Sequence, residues 1–449
     1  MILKKIKIFT QTRVIAATFL IVILLGAGLL TLPVASATGT VTPFFTALFT
    51  AFSATTTTGL TVVDTGAYYS LFGQVVILFM MQIGGLGFLT FLGFFMLTFR
   101  GKMSLHECNL MMQAAGVVRR DSISRLIKRI LSVTAIVEGF GTALLSIRFI
   151  PMLGFGKGLF YAFFHTVSAF SNSGMDLGGA IGSASLSHFA GDPLVLLTVA
   201  FVGLAGGLGF LAWDDFIVNG IHMRRYSLSS KIAVITTGIV VPCAFLLTLA
   251  TEWQAALAGM SVPQKLLCGF FNAVTPLTSG FYAVSPASYS QGGLALIHVL
   301  MLIGGSPGST AGGIKTTTIA VLILSSLTLA RHHSDVEAHK RRISSGSVML
   351  AGAVFFYFIV MSAVSTVLIA AIEPDTVPLS AVMTDVISAI TTDGLSVGIT
   401  PSLLPLSKLI LMFLMLIGRI GGIAFLYMLS EGKKRNTALQ RPTEDILVG

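Results

Sequence analysis

The sequence predicts an all-α polytopic membrane protein built from four pseudo-repeated units. Each unit is a long helix, a short re-entrant helix, a loop and a second long helix. Three observations carry this expectation. The first is composition: the 449 residues are 54% hydrophobic and only 10% charged, with mean hydropathy +0.90. A soluble domain carries about 25% charged residues, so this chain cannot cover itself against water. The second is a set of long apolar runs near 14–34, 71–99, 126–150, 193–218, 231–250, 293–329, 348–372 and 406–430. Each reaches the roughly 20 residues a helix needs to cross a bilayer. The third is a shorter apolar piece inside every pair of runs: 43-PFFTALFTAFSAT-55, 158-GLFYAFFHTVSAF-170, 263-PQKLLCGFFNAVT-275 and 378-PLSAVMTDVISAIT-391.

The first run follows Lys4, Lys5 and Lys7, and 34-VASA-37 has the look of a cleavage site. The run is longer than the roughly 7–15 residues of a signal peptide core. It is therefore expected to stay as the first transmembrane helix. The net charge of +10 does not point to nucleic acid, because the basic residues gather in a few short loops. Arg100, Lys102, Arg119, Arg120, Arg125, Lys128 and Arg129 lie between the second and third runs. Arg224, Arg225 and Lys231 follow in the next even loop, then Arg331, Lys340, Arg341 and Arg342. Lys433, Lys434, Arg435 and Arg441 close the chain. The opposite side carries only Arg148, Lys157, Lys265 and Lys408. Cytoplasmic loops are enriched in Lys and Arg. Both termini are thus expected in the cytoplasm, with all four short pieces on the outer side. Cys108, Cys243 and Cys268 match neither a disulfide framework nor a metal spacing and read as small apolar residues.

The register of the repeat comes from the loops. Ser53-Ala54 precedes Gly59 at the spacing found in 168-SAFSNSG-174 and 388-SAITTDG-394, while 274-VTPLTSG-280 keeps only the hydroxyl residues. Every short piece begins 16 or 17 residues before its loop glycine. A second landmark follows in 84-GGLGF-88, 206-GGLGF-210, 304-GGSPG-308 and 418-GRIGG-422. The expected units are residues 1–102, 103–226, 227–342 and 343–432, with a cytoplasmic tail at 433–449.

Non-helical backbone at membrane depth is tolerated only where it is buried or lines a water-filled cavity. Four such loops are most economically placed around one ion pore. Each follows a helix whose C-terminal end carries partial negative charge. Carbonyl rings can replace a cation's hydration shell. The candidate filter is Thr56, Thr57, Thr58 and Gly59; Ser171, Asn172, Ser173 and Gly174; Leu277, Thr278, Ser279 and Gly280; and Thr391, Thr392, Asp393 and Gly394. Asp393 is a carboxylate at the mouth that either concentrates cations or is neutralised by hydrogen bonds. Asp64 and Asp176, just past their glycines, either colour the outer vestibule or are simply solvated.

The stretches 46-TALFTAFSATTTTGLTVVDTG-66, 82-QIGGLGF-88, 308-GSTAGGIKTTT-318 and 417-IGRIGG-422 resemble the Trk/Ktr/HKT superfamily of potassium transporters. The chain is most similar to the bacterial Ktr membrane subunits of KtrB/KtrD type, from about residue 10 to 430. The resemblance implies a fourfold pseudosymmetric pore in each subunit and a homodimer in the bacterial cell membrane. It implies potassium as the transported ion, with sodium as the coupling or activating ion. It also implies a cytosolic ring of nucleotide-binding RCK subunits of KtrA/KtrC type, so that any nucleotide sits on the partner. Asp393 departs from the family, whose members usually carry an uncharged residue there.

The sixth run is broken by 304-GGSPGSTAGGIK-315, through which no helix runs easily. A phosphate loop would need Gly-Lys-Ser/Thr in succession, and Ile314 intervenes. A small-residue loop below a filter reads as a gate, and by resemblance it matches the intramembrane loop that closes the pore in Ktr and Trk proteins. The candidate gate residues are Gly304, Gly305, Ser306, Pro307, Gly308, Ser309, Thr310, Ala311, Gly312, Gly313, Lys315 and Arg419. Charges at membrane depth are expensive and default to a functional reading. Arg419 either pairs with this loop or raises a barrier; the structural alternative pairs it with Glu138. Lys315 either belongs to the gate or reaches cytoplasmic water. The rival functional reading is a secondary transporter of another small solute. Such folds usually place successive broken helices on opposite faces through inverted repeats. An enzyme is not expected, since neither HExxH nor GxSxG occurs, and His165 reads as a packing or hydrogen-bonding residue.

Overall fold

The computed structural model describes residues 11–87, 123–332 and 335–421. The basic loop near 100–122 and the expected tail at 433–449 lie outside them. The described chain is almost wholly helical, with one two-residue β-hairpin pairing Glu337–Ala338 with Arg341–Arg342.

Fourteen helices matter here. The stretch expected as unit one holds α1 (Gln11–Thr31), α2 (Phe44–Thr55) and α3 (Leu71–Leu86). The stretch expected as unit two holds α4 (Ile123–Leu153), α5 (Phe155–Phe170), α6 (Pro193–Gly207) and α7 (Phe210–Asn219). Then come α8 (Leu228–Glu252), α9 (Val262–Thr278), α10 (Gln291–Ile303) and α11 (Thr316–Ala330). The last are α12 (Ser345–Ile372), α13 (Leu379–Thr391) and α14 (Pro405–Ile420).

The short helices start where their residues say they should. Pro43 and Pro378 are N-caps, and Pro263 sits in the first turn of α9, where a missing N–H costs nothing. The four helices are buried along most of their length, with Ala47, Phe164, Phe271 and Val386 fully excluded from the surface. The first helices of the units face outward. Leu25 on α1, Ile136 on α4, Ile239 on α8 and Phe356 on α12 are more than half exposed. Such apolar exposure suits a hydrocarbon surround rather than water.

One expectation fails in an informative way. The runs at 71–99, 193–218 and 406–430 are not unbroken spans, while the run at 293–329 is broken as expected. Among the described residues only α4, α8 and α12 are long and apolar enough to cross a membrane by themselves. The helix expected over 193–218 breaks between α6 and α7 and bends by 91°. The physical reason is backbone geometry. Gly209 takes φ 93° and ψ 141°, a conformation glycine adopts without the strain a Cβ would bring. Gly87 (φ 77°, ψ 130°) ends α3 and Gly421 (φ 93°, ψ 133°) ends α14 in the same way. At 16 residues, α3 is about 24 Å long, short of the roughly 30 Å hydrocarbon core.

The third unit shows where its copy of this break lies. Lys315 has φ 90° and ψ 136°, and α11 starts immediately after it, as α7 starts after Gly209. The stretch 312-GGIK-315 thus repeats the backbone turn of 84-GGLG-87 ahead of α11, while 304-GGSPG-308, expected from the glycine pairs, begins where α10 ends, at Gly304.

Candidate functional site

The four loops meet. A Cβ added to Gly59 would lie 1.8 Å from the carbonyl oxygen of Ser173; one on Gly174 would lie 2.6 Å from that of Ser279. On Gly280 it would lie 1.9 Å from the carbonyl oxygen of Asp393, and on Gly394 2.2 Å from that of Thr58. Each glycine thus rests on the carbonyl before the next glycine, and the fourth returns to the first. The loops close a ring in the order 59, 174, 280, 394. All four glycines have positive φ, between 66° and 98°.

Local hydrogen bonds hold this shape. After α2, α5 and α13 the chain turns through a left-handed residue: Thr57 (φ 53°), Asn172 (φ 55°) and Thr392 (φ 54°). The amides then fold back: Thr58 N–H bonds Ser53 O at 2.8 Å, Ser173 N–H bonds Ser168 O at 2.9 Å, and Asp393 N–H bonds Ser388 O at 3.0 Å. Gly59 N–H donates to Ser53 Oγ at 3.0 Å and Gly394 N–H to Ser388 Oγ at 2.9 Å. In two of the three Ser-Ala copies the serine hydroxyl thus fixes the glycine amide six residues on, and in the other Ser168 Oγ donates to Met175 O at 2.6 Å. With those amides turned back into the helix end, the carbonyls are free to face away from it.

The third loop departs from expectation. Its helix α9 runs through Thr278, so Leu277 is a helical residue, 4% exposed, packed in a small apolar cluster. Without the serine, Gly280 N–H bonds Thr275 O instead. Thr391 is likewise the last helical residue of α13, and its hydroxyl bonds Ile387 O. The remaining candidates Thr56 to Gly59, Ser171 to Gly174, Ser279 to Gly280 and Thr392 to Gly394 lie in the loops.

The loops are also braced from behind by residues that sequence reasoning mostly passed over. Tyr69 Oη donates to Thr50 Oγ1, Leu177 N–H to His165 Nε2, Ala283 N–H to Asn272 Oδ1 and Thr400 Oγ1 to Asp385 Oδ2. These four partners stand on the short helices eight or nine residues before the loop glycine. The common position was the available signal; the differing side chains hid it. His165 packs against Phe149 and Tyr161 and bonds Tyr161 O, as a packing and hydrogen-bonding residue. Asp64 caps a short helical turn through Ala67 N–H, and Asp176 accepts from Gly178 N–H.

Asp393 is 4% exposed. Its carboxyl accepts from Leu395 N–H, while Oδ2 has no partner. A full set of hydrogen bonds does not neutralise it.

The loop 304–315 crosses beneath the ring. Thr310 Oγ1 donates to Phe170 O, and Asn172 donates to Thr310 Oγ1, in the second unit. Ser306 N–H bonds Gly207 O at 2.8 Å, and Phe210 N–H bonds Gly308 O at 2.8 Å. On the far side, a Cβ on Gly312 would meet Thr391 O in the fourth unit at 2.3 Å. The second and fourth units are opposite in the ring, so the loop spans it. Thr310, Gly304, Gly305, Ser306, Ala311, Gly312 and Gly313 are buried; Pro307 and Ser309 are half-buried and Gly308 is exposed. Lys315 Nζ turns back to Ala311 O and to Gly312 O at 3.1 Å, rather than reaching solvent. Arg419 donates to Thr310 O, Gly84 O and Gly85 O at once. The alternative partner, Glu138, is bonded to Gln82.

A ring of backbone turns closed by four helix ends, with outward apolar helices around it, defines a helical membrane protein built to handle a cation. Comparison with known proteins makes the class specific. The family model for TrkH, described as cation transport protein, matches residues 4–433. The potassium/sodium uptake protein NtpJ of Enterococcus hirae is 34% identical over 447 residues, 99% of this chain and 98% of that protein. The Ktr system potassium uptake protein B of Bacillus subtilis is 33% identical over 98% of this chain and 97% of its own. The crystal structure of the potassium transporter TrkH from Vibrio parahaemolyticus shares the fold, with TM-score 0.68 over 96% of this chain and 87% of that one at 20% identity. The chain belongs to the TrkH family of cation transport proteins. It is a membrane transporter, not an enzyme.

Proposed function

We propose that this chain is the ion-translocating subunit of a Ktr-type potassium uptake system, with one pore at the centre of four repeated units. The observation that carries the reading is the closed ring, in which four loop glycines each seat on the carbonyl of the next loop. Backbone oxygens around an axis substitute for a hydration shell. The negative ends of α2, α5, α9 and α13 add to the attraction. The names of the relatives, uptake proteins for potassium or for potassium and sodium, support the choice of ion.

In this reading 304–315 is the gate and Arg419 its lock. The units divide near residues 102, 226 and 342. Sodium assists, two copies assemble, and a cytosolic nucleotide-binding ring acts on the gate from the side where both termini lie. The similarity to Ktr proteins B and D supports the regulatory partner, since these belong to named systems of more than one component.

The test is Rb⁺ uptake into proteoliposomes. The intact chain carries Rb⁺, potassium competes with it, and sodium raises the rate. Removing residues 306–313 increases flux. A deletion protein that folds normally but moves Rb⁺ no faster would refute the gate, and no Rb⁺ movement by the intact chain would refute the pore.

A further inference from the structure

Away from the ring, a second polar cluster lies at membrane depth between α3 and α4. Glu138, near the middle of α4, is 7% exposed. Gln82 of α3 donates through Nε2 to Glu138 Oε2 at 3.3 Å. The other carboxyl oxygen, Oε1, is buried without a partner, and so is Gln82 Oε1. Thr134 and Thr142 stand four residues before and after Glu138, and helix positions four apart share a face. Thr134 is 3% exposed. The hydroxyl oxygens of both threonines are also buried without partners. One oxygen of the Glu138 carboxyl, the Gln82 amide oxygen and two hydroxyls one turn away on either side along α4 thus lack partners. Buried polar atoms are ordinarily satisfied, and an acidic group inside a membrane calls for a partner of opposite charge.

The two basic side chains of the candidate gate are committed elsewhere. Arg419 holds Thr310, Gly84 and Gly85, and Lys315 holds Ala311 and Gly312. Among the described residues no group of three or more His, Cys, Asp or Glu could hold a metal ion. One carboxylate, one amide oxygen and two hydroxyls form a hard, oxygen-only donor set bearing a single negative charge. That set balances one positive charge and lacks the carboxylates a divalent ion would call for.

We propose that Glu138, Gln82, Thr134 and Thr142 bind a monovalent alkali cation outside the ring. The site has a route to the transport machinery. Gln82 precedes by two residues the Gly84 carbonyl that accepts from Arg419. A cation held by Gln82 fixes the end of α3, and with it the anchor of the loop beneath the ring.

The test is thermal unfolding of the purified full chain in detergent, with NaCl or KCl replacing choline chloride at constant ionic strength. Glu138→Gln is expected to lose a saturable part of the cation-dependent rise in the unfolding midpoint, and to keep the part due to the ring. The salt that produces the lost part identifies the ion as sodium or potassium. Thr134→Val, which keeps the carboxylate, is expected to raise the half-effect concentration about tenfold. In crystals grown with Tl⁺, an anomalous peak beside Glu138 is expected in the parent chain and not in Glu138→Gln. A cation response of Glu138→Gln identical to the parent's would overturn the site and leave a protonated carboxyl bonded to Gln82. Should that variant not fold, an unchanged half-effect concentration in Thr134→Val would overturn it equally.

Discussion

Gly59 shows how little room the ring leaves. A methyl group there would sit 1.8 Å from Ser173 O, and the residue holds φ 93°. The conformation alone costs an alanine about 1–2 kcal/mol, and the clash is with backbone, which has nowhere to go. Gly59→Ala should therefore abolish Rb⁺ uptake while the helical circular dichroism persists. Normal uptake by that variant would show that the ring is not the path. Ser53 is subtler. Ser53→Ala removes the hydroxyl that holds the Gly59 amide, a bond of about 1 kcal/mol. Weakened discrimination of K⁺ over Na⁺, with little change in unfolding temperature, is expected. Asp393 is the residue that sets this ring apart. A charge focused at a narrow mouth raises local cation concentration by tenfold or more, and Asp393→Asn should raise the half-saturating Rb⁺ concentration by about that factor. An unaltered half-saturation would mean that Asp393 carries no charge in the working protein.

Helices supply the positions of these residues and also the freedom to move. The breaks after α3, α6 and α14 use glycine, but the break before α11 uses Lys315. A lysine held at φ 90° stores about 1–3 kcal/mol of strain, and its ammonium bonds to Ala311 and Gly312 oppose that strain. Lys315→Gly should relax the backbone and free the loop together. Rb⁺ flux should rise with an unfolding temperature equal to or above the parent's. Lower flux would argue that Lys315 opens rather than closes the loop. The short helices were legible in the sequence because proline, apolar length and the loop glycine mark them out. The break at 304–315 was legible too, but those at Gly87, Gly209 and Gly421 were not. A 26-residue apolar run at 193–218 reads as one span until the Gly209 dihedral angles are known.

Across the whole molecule, the loop 304–315 and Arg419 join parts of the chain that are far apart in sequence. Arg419 reaches Thr310 and Gly84, 109 and 335 residues away. An Arg at the centre of a membrane costs at least about 2.5–3.5 kcal/mol. Three carbonyls, each a charge-assisted bond of about 1.5–3 kcal/mol, offset that cost. Arg419→Gln should untie units one, three and four beneath the ring and raise basal Rb⁺ flux, with a smaller further increase when residues 306–313 are also removed. Fully additive increases would show that Arg419 and the loop act separately.

The sequence by itself determined the membrane class, the four short helices, the loop glycines and the family. The first three follow from composition, apolar length and spacing and the family from the resemblance of its motifs, all of them local properties. It also singled out Arg419 and 304–315, because a charge or a run of Gly and Ser is anomalous within apolar helix. Only the tertiary structure decided that the four glycines close a ring in order, that Lys315 makes the turn before α11, and that Arg419 is shared by three units. It also decided that Glu138 bonds Gln82 instead of Arg419. Each of these is a contact between distant segments or a backbone angle. Neither is written in residue order, because side-chain type fixes what a group can bond, while the fold alone fixes what comes within reach.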